Sequence, residues 1–226
     1  IAEGTVSELK VSLKKVFGSS TSEKEVLRFL DELKDISLLK KNEEFLRHLN
    51  DLIKGGKRVF GKLLSLEEEA VLRFYTTNAG YKKFNQALRG EISITDEFLA
   101  QKKIMNQALD KLPVYKSEGF LYRIENLNQK QIEDIYKEGE EIVNKHFTSS
   151  TYSYKSLQEA TLNRPFTVII KIKGKNGRLI EGLSTLKKER EVLFKSDSVF
   201  KVEKVGMTQD PHDWMLLVRE IILVEI

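Results

Sequence analysis

The sequence contains no cysteine. That absence excludes disulfides, a thiolate nucleophile and any zinc site built on sulfur, and with imidazole available only from His48, His146 and His212 no metal centre is expected. No apolar run approaches the roughly 18 residues needed to cross a bilayer. The start Ile1-Ala2-Glu3-Gly4 has neither the basic opening nor the apolar stretch of a signal peptide. A soluble chain is therefore expected, and a start without Met is compatible with a piece of something longer. Charge of one sign is also lacking. The 38 Lys and Arg are interleaved with 34 Asp and Glu for a net +4, with no basic stripe carrying stacking aromatics, so nucleic acid is not the favoured partner. Internal repeats and low-complexity segments are absent.

What is present is an ordinary globular composition, 40% hydrophobic over 226 residues, enough for one generous domain or two small ones. The first half has helical periodicity and the second half alternates, which predicts an α+β chain rather than an alternating parallel-sheet fold. Val6 to Val16 is loosely helical, and Ser22 is a candidate cap for a helix carrying Val26, Leu30, Leu33 and Ile36. Phe45, Leu49 and Leu52 form a cleaner stripe that ends at Gly55-Gly56. Ser65-Leu66-Glu67-Glu68 has capping-box form, and so does Asn128 with Gln131. Further helices are predicted through Tyr81 to Gly90 and from Thr95 to Leu112. Strands are predicted at Gly119 to Ile124, Ile142 to Thr151, Phe166 to Ile172, Glu191 to Phe194, Val199 to Val205 and Trp214 to Ile226, with Trp214 as a packing anchor.

Three groups on or beside these strands carry chemistry: Arg123, the hydroxyl run Ser149-Ser150-Thr151, and the pair Glu189 and Glu191. Residues two apart in a strand project to one side, so the two glutamates share a face and Arg190 turns away. Taken singly, each group has a blander reading. Glu-Arg-Glu reads as a solvated surface turn, Arg123 as an edge-strand partner of Glu125, and the hydroxyls as turn formers. Val192-Leu193-Phe194 tips the balance for Glu191, because a glutamate that opens an apolar strand sits at a core edge.

In the order Arg, Ser-Ser-Thr, Glu-x-Glu, spaced by about 26 and then about 40 residues, the groups resemble the toxin-like, arginine-specific mono-ADP-ribosyltransferases. Upstream, Leu64-Ser65-Leu66-Glu67-Glu68, Tyr75-Thr76, Tyr81, Asn85 and Leu88-Arg89-Gly90 resemble that family's helical lead-in. The resemblance implies N-terminal helices packed on two small antiparallel sheets that enclose an NAD cleft. It divides the chain into a helical segment 1–56, integral or target-docking, and a catalytic domain 57–226. It implies transfer of ADP-ribose from NAD to an arginine of a target protein with release of nicotinamide, by a secreted or delivered toxin or effector domain.

Glu191 would stabilise the oxocarbenium-like ribose through its 2′-hydroxyl. Glu189 would orient and deprotonate the acceptor guanidinium, which with a pKa above about 12 is otherwise a poor nucleophile. Arg123 would neutralise the pyrophosphate and Ser149 would hold Glu191. Ser150 and Thr151 would secure the nicotinamide end, Tyr75 would line the cleft and Arg164 would be a second phosphate contact. Partners would be the target protein and a delivery or immunity protein, with the enzyme a monomer. An NAD glycohydrolase and a non-enzymatic interaction module are the alternatives. One departure concerns the acceptor: Leu183 to Lys188, before the Glu-x-Glu, lacks the aromatic residue common in that family, leaving Leu186 to take its role.

Overall fold

The computed structural model describes residues 23–116, 119–183 and 190–226. Ser22, the Val6 to Val16 stretch, residues 184–188 and Glu189 lie outside the described residues. Among the described residues five helices come first: α1 (Glu23–Leu39), α2 (Glu43–Ile53), α3 (Leu66–Tyr75), α4 (Asn78–Leu88) and α5 (Asp96–Lys111). Their starts follow local chemistry. Asn42, Ser65, Thr77 and Thr95 each accept backbone N–H groups with their side chains, and Ser65 with Glu68 completes the expected capping box. The second half contains β1 (Leu121–Glu125), α6 (Gln129–Ile135), β2 (Glu141–Asn144), β3 (Thr148–Thr151), α7 (Tyr154–Asn163), β4 (Val168–Lys173), β5 (Arg178–Leu179), β6 (Glu191–Phe194), β7 (Ser198–Gln209) and β8 (Leu217–Glu225). The α+β segregation expected from periodicity is the one observed.

The strands hydrogen-bond in the order β2-β7-β8-β4-β1-β3-β6-β5. Two details differ from a pair of separate antiparallel sheets. The β3-β6-β5 half is joined to the rest at one narrow point, the Tyr122↔Thr151 pair, so two sheet halves share one ladder. The last strand, β8, enters between β7 and β4 and runs parallel to β4, an arrangement that a long crossover permits and a hairpin does not.

Two cores result. One gathers the helices, from Leu39, Phe45 and Leu49 through Phe74, Phe84 and Met105, against Phe147, Ile180 and Leu193. The other fills the space between the sheet halves with Leu121, Ile170, Ile172, Val192, Phe194, Phe200 and Leu223. β6 separates them, with Leu193 facing the helices and Val192 and Phe194 facing the sheet core, so all four of its residues are buried. Two expectations are corrected here. Trp214 is 75% exposed in the loop before β8 rather than a packing anchor, because Asp210 and Asp213 cap a turn that holds residues 210–216 out of the ladder. The extended stretch from Ile142 to Thr151 is broken into β2 and β3 by residues 145–147.

Candidate active site

The site lies where the two sheet halves part and the helical lobe closes over the gap. α3 and α4 meet there at a short turn. A Cβ on Gly80 would stand 1.9 Å from the Phe74 carbonyl oxygen, so only glycine permits this approach. The close turn sets Tyr75 at the end of α3 beside Tyr81 and Asn85 on α4. Tyr75 is nearly fully buried, its ring against Phe84 and Phe147, and its hydroxyl accepts from Asn85 Nδ2 at 3.1 Å. Burial first, and the nearby Glu191 charge, push its phenol well above the ordinary value, so it remains neutral. The core reading and the cleft-lining reading of Tyr75 both hold.

The β3·β6 ladder arranges the polar groups. Ser149 pairs with Leu193 and Thr151 with Glu191, which puts Ser149, Thr151, Leu193 and Glu191 on the helical face and Ser150 and Val192 on the other. Ser150 Oγ is used within the sheet, donating to the Val192 carbonyl at 2.9 Å. Thr151 Oγ1 donates toward the Arg190 carbonyl at 3.4 Å. Glu191, 5% exposed, therefore heads a buried strand and faces the opening, as its apolar sequel predicted.

Arg123 is not on an edge strand, since β1 lies between β4 and β3. Its Nη2 does bond Glu125 Oε1, at 2.6 Å, and Glu125 Oε2 in turn accepts from the Tyr136 hydroxyl at 3.1 Å. Nη1 donates to the Ser149 carbonyl at 3.4 Å, while Nε is buried without a hydrogen-bond partner among the described residues. The ion pair that the blander reading foresaw exists, and it fixes the guanidinium at the gap.

These residues line one cleft of about 650 Å³. Arg123, Ser149, Ser150, Thr151, Tyr75, Arg164 and Glu191 are all on its wall, so among the described residues every expected site residue is brought together. Only Glu189 falls outside the described residues. The wall also carries Lys82, Arg89, Asn85 and His146, which had not been assigned to the site. For Asn85 and Arg89 the signal was available in the helical spacing from Tyr81 to Arg89. For His146 there was none beyond its closeness to Ser149. Burial, then the charges of Arg123 and Arg89, bring the His146 imidazole down to about 3.

Four cationic side chains, Lys82, Arg89, Arg123 and Arg164, face two carboxylates, Glu159 and Glu191, across this wall. A pyrophosphate suits that balance, and the buried Arg123 Nε and Asn85 Oδ1 are a donor and an acceptor without a hydrogen-bond partner among the described residues. A dinucleotide with an anionic middle fits the residues present.

Comparison with known proteins agrees with this geometry. The model of the ADP-ribosyltransferase exoenzyme family matches residues 40–225. The chain belongs to this family. It is 31% identical over 165 residues, 70% of its length, to the NAD(+)--protein-arginine ADP-ribosyltransferase Tre1 of Serratia proteamaculans (strain 568). The match spans about a third of that relative, 33%. Exoenzyme S from Pseudomonas aeruginosa, solved with human 14-3-3 protein beta and carba-NAD, superimposes with a TM-score of 0.63 at 17% identity over 86% of this chain and 88% of that one. The type III effector XopAI from Xanthomonas axonopodis pv. citri gives 0.58 at 18% identity over 100% and 89%. The family match begins just after α1 and takes in α2 to β8.

Proposed function

We propose that this ADP-ribosyltransferase exoenzyme moves ADP-ribose from NAD to an arginine of a target protein and releases nicotinamide. The observation that carries the reading is the convergence of Arg123, Ser149 and Glu191 on one cation-rich cleft of a family member. Similarity to an enzyme named for arginine transfer, and Glu189 two residues before Glu191, support arginine as acceptor. Arg123 and Arg89 bind the pyrophosphate with charge-assisted hydrogen bonds, and Arg164 adds a third cation. Tyr75 and Asn85 bound the ring-binding end. Ser149, diagonal to Glu191 on the same strand face, holds its rotamer, and Glu191 accepts from the ribose hydroxyl and stabilises positive charge at the anomeric carbon. Glu189 orients the acceptor guanidinium and takes its proton. Thr151 keeps the Arg190 carbonyl, and so the start of β6, in place.

We also read residues 23–56 as part of the catalytic fold rather than as a separate docking unit, supported by Leu39, Phe45, Leu49 and Leu52 in the same core as α3 and α5. Among the described residues no helix is long and apolar enough to cross a membrane. Delivery into another cell as an effector or toxin is proposed from the relatives. The test is incubation of wild type, Glu191→Ala and Glu189→Ala with labelled NAD and target-cell lysate, following nicotinamide release and protein labelling. Labelling lost in both variants, with release retained by Glu189→Ala alone, is the expected result. Release by wild type without labelling would make the chain a glycohydrolase, and neither activity would leave a binding module.

A further inference from the structure

Beside the cleft is a second polar group that the chemistry above does not use. Tyr152 follows Thr151 and turns to the opposite face of the strand, packing against the core that holds Val192. Its ring stacks on Tyr115 with centroids 5.4 Å apart and planes at 27°. Its hydroxyl donates to Glu181 Oε2 at 2.8 Å. Burial first, then this carboxylate, hold the phenol above its ordinary value, so at neutral pH it is protonated and donates to Glu181. Over the exposed side of the ring sits the Arg190 guanidinium, 5.9 Å from the centroid, its Nη1 donating to Ser153 Oγ at 3.3 Å. Arg190 reaches this position from a left-handed backbone, φ 44°, which a residue with a Cβ adopts only under constraint.

A guanidinium laid on a tyrosine face beside a carboxylate is the arrangement by which proteins bind a basic side chain. Tyr115, Tyr152 and Glu181 are absent from the cleft wall, and the ring faces away from Glu191, so this is not where the modified arginine itself sits. Yet its occupant, Arg190, adjoins Glu191, and Tyr152 adjoins Thr151, both on the cleft wall, so the ring lies beside the cleft. An extended acceptor segment advances about 3.3 Å per residue, so two or three residues span about 7–10 Å.

We propose that Tyr115, Tyr152 and Glu181 form a recognition site for a second basic side chain of the acceptor protein, two or three residues from the arginine modified, and that Arg190 fills this site until the acceptor displaces it. The acceptor class is thereby narrowed to arginines with a neighbouring Lys or Arg. The inference rests on the arginine-transfer reading above.

Three acceptors separate the two ideas: agmatine as a lone guanidinium, a peptide with one arginine, and the same peptide with a lysine two or three residues away. Wild type is expected to show a KM for the two-base peptide about two- to fivefold below that for the one-base peptide, the range of an exposed cation–π contact. Tyr152→Leu and Glu181→Gln abolish this preference with KM for NAD unchanged, and Tyr152→Phe, which keeps the ring stack, retains part of it. Arg190→Ala uncovers the ring and moves the preference the opposite way, making it larger. Fluorescence anisotropy of the labelled two-base peptide should follow the same order. Equal KM values for the two peptides, or Arg190→Ala shifting in the direction of Tyr152→Leu, would overturn the recognition site while labelled agmatine upholds arginine transfer. Agmatine left unlabelled by wild type would overturn arginine transfer itself.

Discussion

Glu69 and Glu191 are both glutamates sealed from solvent, 0% and 5% exposed, but the regions around them put a buried carboxylate to opposite uses. On α3, Glu69 is ringed by the protein. Its Oε1 accepts from Val59 N at 2.9 Å and Arg73 Nη2 at 2.8 Å, and its Oε2 from Phe60 N at 3.2 Å and Arg58 Nε at 3.4 Å. Burial alone would raise its pKa, and these partners together outweigh it and lower the value. The result ties residues 57–60 to the helix. Glu191 instead opens on a cleft whose wall is richer in cations than in acids. Burial by itself does not mark a catalytic acid; what separates the two is whether the surroundings converge on the carboxylate or on an adjoining space large enough for a ligand.

The sharpest way to break this contrast is to neutralise each acid. Glu191→Gln is expected to lower transfer by two to three powers of ten, the usual cost of losing a group aimed at developing charge, with the denaturant midpoint unchanged. Glu69→Gln should do the reverse. It leaves Arg58 and Arg73 without their anion and should lower stability by about 3–5 kcal/mol in urea titrations, while kcat of the folded fraction holds. If Glu69→Gln lost activity without stability, or Glu191→Gln lost stability, the division between the two regions would be wrong.

A smaller effect tests the cations that face Glu191. Arg123→Lys keeps a charge for Glu125 but loses the planar fork, and KM for NAD should rise about tenfold, worth about 1.4 kcal/mol, with a lesser change in kcat. A fall in kcat at constant KM would move Arg123 from binding to the chemical step.

Legibility of these features from sequence divided along the same line. The capping boxes at Ser65 and Asn128, the apolar stripe through Phe45 and Leu49, and the set Arg123, Ser149 and Glu191 were readable because local chemistry or a spaced motif specifies them. The missed helix α7 has one fully buried residue, Leu157, so it offers no periodic stripe. It starts because Ser153 caps it, and its inner side walls the cleft with Ala160 and Arg164. The insertion of β8 beside β4 is equally unreadable, since both strands are apolar and their pairing is a long-range choice. Trp214 misleads because an aromatic before a strand ordinarily packs, whereas here an aspartate-capped turn exposes it. His146 and the Tyr152 group depend on contacts between segments far apart in sequence.

The finest test of the two regions is the order in which they give way to acid. Burial, then Arg123 and Arg89, hold folded His146 near 3, whereas the unfolded chain takes up that proton near 6.5. Between those values the unfolded state binds the extra proton, so stability falls as pH drops, by up to tenfold in the unfolding constant per pH unit, and above 6.5 the residue contributes nothing. Glu69 follows the same protonation logic in a lower window: its pKa is also depressed, so its stabilising effect is complete above about 4.5 and is lost below that. Acid should therefore weaken the cleft wall first and the α3 knot second. His146→Asn is expected to flatten the stability profile between pH 6.5 and 4.5 and leave pH 8 unchanged. A residual slope should persist from His48, which burial and then Arg47 also hold low. Urea midpoints for the wild type and His146→Asn across that interval decide it, for an unchanged slope would mean that the imidazole is charged beside the two arginines and that the cleft is more open to water than its burial implies.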